Sequence, residues 1–165
     1  MRARLLVVAL LVALATAVVA FGVTMLQTGE QSAGPNRSGI LTVRIDRLSP
    51  GKVETTTLAV PAVKGTTWPV FVVAESKSDY TAFLGRSPHL GCRVEWVEDP
   101  TYSRFSTSAR IAFEDPCGGA EFTIDGTCIG GPCNRGLDRF PLVLSHGEAR
   151  INLNLLNAGP PRTAP

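Results

Sequence analysis

Eight short runs with period-two or continuous β-branched character, each closed off by Gly, Pro, Asp or Ser, restrict this chain to an all-β body. They fall at Ile40 to Ile45, Val53 to Val60, Val70 to Ala74, Tyr80 to Leu84, Arg110 to Phe113, Ala120 to Ile124, Leu142 to Leu144 and Ala149 to Leu155. Ser49-Pro50-Gly51, Asp125-Gly126 and His146-Gly147 mark tight turns between them. Beyond the first 26 residues no window carries a helical apolar stripe. With 165 residues in all, the pattern predicts one small antiparallel sandwich or barrel.

The amino terminus follows a different rule. Arg2 and Arg4 precede the run Leu5 to Leu26, which holds 22 residues and no charge. As a helix that run spans roughly 33 Å, enough for a bilayer core. Val18, Val19 and Ala20 offer a signal-peptidase-like site, so the segment reads as an anchor or as a cleaved signal. Either reading sends the body to the extracytoplasmic side, the periplasm or cell exterior, and the anchor makes the membrane a partner. The expected organisation is a membrane segment over residues 1–26, a polar Gly/Ser tether over 27–39, a β domain over 40–156 and a frayed tail over 157–165. From Ile40 onward there are thirteen bases and thirteen acids, and only 7% of the chain is aromatic. Such a neutral body has neither a basic stripe nor a stacking platform, which excludes a nucleic-acid partner.

Four cysteines, Cys92, Cys117, Cys128 and Cys133, all lie in the exported part, where an even number points to disulfides with three pairings open. Cys128 and Cys133 bracket Ile129-Gly130-Gly131-Pro132, a spacing that suits a small closed loop and leaves Cys92 with Cys117. A four-cysteine metal site wants paired C-x-x-C spacings, which are absent.

Two segments carry a family likeness. YTAFLGRSPHLGCRVEW (residues 80–96) and FEDPCGGAEFTIDGTCIGGPCNRGLDRFPL (residues 113–142) resemble, in order, the C-x-H-x-G-C and C-x-C-H-G boxes of the Rieske iron-sulfur family. An amino-terminal anchor and a flexible neck are likewise similar to the Rieske subunits of quinol-oxidising respiratory complexes. In the first box Ser87 stands where the family has a cluster cysteine, while His89 is retained. In the second, Asp115 replaces the ligand cysteine and Gly118 the ligand histidine. The resemblance also implies that Cys92 and Cys117, at the two non-ligand cysteines, pair across the cluster loops. Where the family has a G-P-A-P loop the chain has Gly131-Pro132-Cys133-Asn134, and a bond from Cys133 to Cys128 would replace the rigidity of the lost proline.

A Rieske cluster is held by two thiolates on one iron and two imidazoles on the other. Ser and Asp are hard oxygen donors and Gly118 has no side chain, so the expectation is a 2Fe-2S family member without a functional cluster or any other cofactor. The corresponding function is a membrane-anchored structural or docking component near a respiratory electron-transfer complex. The alternative is a Rieske-type electron-transfer subunit of a quinol-cytochrome oxidoreductase using atypical ligands.

Two further readings use the same positions. Ser87, His89 and Asp115 could form a mononuclear metal site, with His89 as its nitrogen donor. A pocket between Ser87, Asp115 and Gly118 could take a small ligand. No nucleophile elbow, zincin motif or phosphate loop is present, so no catalytic activity of its own is expected. Glu95, Glu98 and Asp99 read as a solvated loop, Trp68 and Trp96 as core packing, and His146 as an exposed turn residue.

Overall fold

The computed structural model describes residues 38–99 and 101–162. The expected membrane segment, tether residues 27–37 and the last three residues of the tail lie outside the described part. Among the described residues there is no α-helix, and no helix long and apolar enough to cross a membrane.

The body is all-β and its named strand pairs are antiparallel, as the short-run pattern predicts. The strands, in chain order, are β1 (Ile40–Arg44), β2 (Val53–Ala59), β3 (Thr67–Ala74), β4 (Tyr80–Leu84), β5 (Glu95–Trp96), β6 (Tyr102–Ser103), β7 (Ser106–Arg110), β8 (Phe113–Glu114), β9 (Glu121–Phe122), β10 (Cys128–Gly130), β11 (Arg139–Phe140), β12 (Leu142–Ser145) and β13 (Glu148–Asn152). They form sheets ordered β1-β13-β12, β11-β4-β3-β2 and β10-β9-β8-β5, with a separate β6-β7 ribbon.

The sheet containing β3 and β4 is buried on both faces, and the alternation of side chains along β3 explains how. Val70 and Val72 join Leu41, Val43, Leu84 and Ile151 in one core, under the β1-β13-β12 sheet. Phe71 and Val73 join Phe83, Val94, Phe113 and Phe122 in a second core, under the β10-β9-β8-β5 sheet. A strand covered on both sides has no polar face to show, which is why Val70 to Ala74 reads as an unbroken apolar run. Rings of Phe71, Phe83 and Trp96 pack on Phe113 at centroid distances of 5.0, 5.9 and 5.4 Å. Trp68 packs against the first core and Trp96 against the second.

The hairpin β12–β13 turns at His146 and Gly147, both with positive φ (49° and 78°). Two consecutive positive φ values are the type I′ solution that matches strand twist. At Ser49-Pro50-Gly51 the turn closes through the Lys52 N–H to the Ser49 carbonyl at 3.0 Å.

Several boundaries differ from the sequence expectation, among them three that change how the chain packs. The single run Arg110 to Phe113 is split, ending β7 at Arg110 and starting β8 at Phe113. β13 stops at Asn152: Leu153 still donates its N–H to Gly39 in register, but Gly39 turns out of the strand at φ +73° and Asn154 holds the Ser38 carbonyl at 2.7 Å. The start of the expected frayed tail is bonded to the domain instead. Asn157 exchanges two backbone bonds with Arg139, Pro160 accepts from Gly136, and Arg162 donates to Asn134. Its prolines and small residues suggest a loose end, but they are compatible with an extended segment laid along loop backbone.

Candidate functional site

The two loops that carry the motif-like residues leave the second core side by side. The first runs from the end of β4 to β5. Its Ser87 N–H donates to the Cys92 carbonyl at 2.8 Å, and Gly91, at φ +72°, donates to the Ser87 carbonyl at 3.0 Å. That positive φ suits glycine and lets the loop double back onto Ser87. The hydroxyl of Ser87, a residue only 1% exposed, accepts the His89 N–H at 3.5 Å. Arg86 lies over the Trp68 ring at 5.6 Å.

The second loop joins β8 to β9. Asp115 starts it: Oδ1 accepts the N–H groups of Cys117 (3.1 Å) and Gly118 (2.8 Å), and its own carbonyl accepts Gly119 N–H at 2.7 Å. An aspartate that opens a turn by accepting from the residues two and three further on is a local device readable from Asp115-Pro116. Unusually for such a device, Asp115 is 1% exposed and its Oδ2 is buried without a hydrogen-bond partner.

Cys92 and Cys117 form a disulfide across the two loops, with Cα atoms 6.4 Å apart. Cys128 and Cys133 form the second, at 6.2 Å, closing a third loop. That third loop lies tight on the second: a Cβ on Gly131 would sit 2.2 Å from the Gly119 carbonyl oxygen. Arg162 Nη1 holds the Gly131 carbonyl at 3.0 Å, so the carboxy-terminal segment braces the assembly.

Among the described residues, the Sγ atoms of Cys92 and Cys117 and a carboxylate oxygen of Asp115 lie within 4.8 Å of one another. His89 is outside that trio and exposed. Gly118 lies against Asp115: a Cβ there would be 2.5 Å from Oδ2. Glu95, Glu98 and Asp99 are exposed, consistent with a solvated segment, and His146 is exposed in its turn.

The 2Fe-2S group implied by the motif resemblance needs two thiolates and two imidazoles. The four corresponding positions offer a buried hydroxyl engaged by its own loop, one exposed histidine, a buried carboxylate engaged through one oxygen, and a glycine whose side-chain space Asp115 fills. The two nearby sulfurs are bonded to each other. This donor set does not fit that group.

An ionic network with a buried carboxylate and an exposed arginine, beside the site, escapes any sequence motif. Glu121, fully buried, accepts from Ser103 Oγ at 2.5 Å and from Arg104 through the backbone N–H (3.2 Å) and Nε (2.5 Å). Burial pushes its carboxyl up, yet the hydrogen bonds from Ser103 and Arg104 and the Arg104 charge outweigh it and hold the group below the ordinary range. At Asp125 burial likewise pushes the carboxyl up, and bonds from Thr123 and Thr127 outweigh it, so this group too is lowered. Ser103 and Arg104 lie 18 and 17 positions from Glu121, and nothing local in the chain announces their meeting.

No protein-family model matches the chain, and no curated protein matches it. Among solved structures it is similar to a chain of "Hyperthermophilic respiratory Complex III", at 21% identity and a TM-score of 0.46, over 86% of this chain and 98% of that one.

Proposed function

We propose that this is a clusterless Rieske-like domain, carried on the extracytoplasmic side by the apolar segment 5–26, that serves as a structural or docking component beside a respiratory electron-transfer complex. The observation that carries the reading is the fate of Ser87 and Asp115. Both are 1% exposed, and both bond to the backbone of their own loops while a disulfide joins those loops. Loops that close on themselves and on each other need no cluster to hold their shape. The disulfides and the apolar run support the compartment, and the resemblance of the two loop motifs supports the partner class. On the first loop the exposed His89 and Leu90, the latter 66% exposed, provide an imidazole and an apolar contact for a docking partner.

The test is iron and acid-labile sulfide per chain in protein purified from its native membrane without oxygen, with an electron paramagnetic resonance spectrum after reduction. The reading expects neither element and no cluster signal, together with co-purification of a quinol-oxidising complex in mild detergent. Near-stoichiometric iron and sulfide would replace it with an electron-transfer subunit using atypical ligands.

A further inference from the structure

Asp115 Oδ2 is a buried carboxylate oxygen with no hydrogen-bond partner, and an orphaned acceptor of that kind is costly. Its loop has already used Oδ1 for two N–H donors, so Oδ2 is the oxygen left over. Oδ2 occupies the space a side chain at Gly118 would need, since a Cβ there would fall 2.5 Å from it. Two sulfurs from different loops and one oxygen of this carboxyl group all lie within 4.8 Å of one another. Cys92 is half-buried and Cys117 exposed, so one side of the trio is open to water and to a reductant.

We infer that when a dithiol reduces the Cys92–Cys117 disulfide, the two sulfurs and the Asp115 carboxylate bind one thiophilic divalent cation of the Zn2+ type, water taking the fourth position. The chemistry balances. The dithiol gives up two electrons and two protons and becomes a cyclic disulfide, the protein S–S bond becomes two thiols, and cation binding releases two protons as both become thiolates. Two thiolates and one carboxylate put three negative charges around a divalent ion, leaving a net charge of −1 that the water-facing side of the site can solvate, and a buried carboxylate that ligates is no longer unpaired. With metal–sulfur bonds of about 2.3 Å in a tetrahedral site, the sulfurs move to roughly 3.8 Å apart. The Cα separation of 6.4 Å accommodates that by side-chain rotation, most simply at exposed Cys117. The same two loops would thus be joined by a disulfide when oxidised and by a metal when reduced. This inference stands on the three side chains and goes beyond the docking reading, which concerns the oxidised protein.

The experiment uses the full chain in detergent, reduced with dithiothreitol, desalted without oxygen and titrated with Co2+ and then Zn2+. Expected are one cobalt per chain, a thiolate-to-cobalt charge-transfer band with intense tetrahedral visible bands, and displacement by one equivalent of Zn2+. Oxidised protein should bind none. Asp115→Asn, which keeps an acceptor oxygen for the loop N–H groups, should weaken binding at least tenfold, and the C92S/C117S double variant should abolish it. Zn2+ should also raise the melting temperature of the reduced wild type, a readout that serves if reduction loosens the fold. The inference is overturned by binding that survives in C92S/C117S, which assigns it to Cys128 and Cys133, by unchanged affinity in Asp115→Asn, or by reduced protein that neither binds nor is stabilised by the metal. Iron and sulfide in the native protein would sink the docking reading and leave this result to stand separately.

Discussion

A Cβ placed on Gly118 would lie 2.5 Å from Oδ2 of Asp115, so the residues at these two positions exclude each other's alternatives. Gly118 does not sit in the left-handed φ region, so alanine there meets a steric obstacle and no backbone one. Gly118→Ala should therefore destabilise the domain by about 1–3 kcal/mol, the usual range for overpacking a filled site. In an Asp115→Ala background the added cost should shrink, with a coupling on the order of 1 kcal/mol in a double-mutant cycle read by urea denaturation. Additive effects would mean that the loop yields elsewhere.

How much of this was legible depends on whether the cause is local. The runs at Ile40, Val53, Tyr80 and Leu142 begin where strands begin, because alternation and turn residues act over a few positions. The two-residue strands β5, β6 and β11 are too short to show any period, while β9 lies inside the run Ala120 to Ile124 and β8 begins at the end of the run Arg110 to Phe113. The partnership of β1 with β13 is a tertiary choice made across more than a hundred residues. Asp115 as a turn opener could be read from its neighbours, but the orphaned Oδ2 and the approach of the carboxyl group to two sulfurs could not, since they arise where two loops meet. Glu121 gave no sign for the same reason.

The disulfide between Cys92 and Cys117 spans 25 positions and that between Cys128 and Cys133 spans 5. In the chain-entropy model these restrict the unfolded chain by about 3.5 and about 2 kcal/mol. Replacing Cys92 and Cys117 by serine should lower unfolding free energy by the larger amount, and replacing Cys128 and Cys133 by the smaller. Equal losses in chemical denaturation would show that native packing, rather than loop length, sets their contributions.

Glu121 should make stability fall in acid. Its folded carboxyl titrates below the ordinary value of 4.5, so the unfolded chain binds the proton more readily than the folded one. The stabilisation is complete above the unfolded value and disappears as pH drops through the folded one. Glu121→Gln removes the charge from bonds to Ser103 and Arg104 and should cost about 1.5–3 kcal/mol at neutral pH. The variant's loss relative to wild type should narrow as the pH falls below about 4, in denaturation curves recorded from pH 7 to pH 2. A constant gap would mean that Glu121 is held by packing alone.

The carboxy-terminal segment should behave as part of the domain through Arg162. Its backbone N–H bonds Asn134, its guanidinium bonds the Gly131 carbonyl at 3.0 Å, and Asp138 Oδ1 accepts the Gly159 N–H at 3.1 Å. Asp138 also pairs with Arg135 in the same loop, so the segment and the loop share one carboxylate. Removing residues 157–165 strips these bonds and leaves the carbonyl of Gly131 and the backbone of Arg139 and Gly136 to water. Faster amide exchange over residues 128–139, with slow exchange retained in β3 and β4, is the expected result by hydrogen-exchange mass spectrometry. Arg162→Ala, which loses only the side-chain bond, should cost about 0.5–1.5 kcal/mol and produce a weaker version of the same local opening. Exchange in the 128–139 loop that ignores both changes would show that the second disulfide and the Gly131 contact hold it without help from the tail.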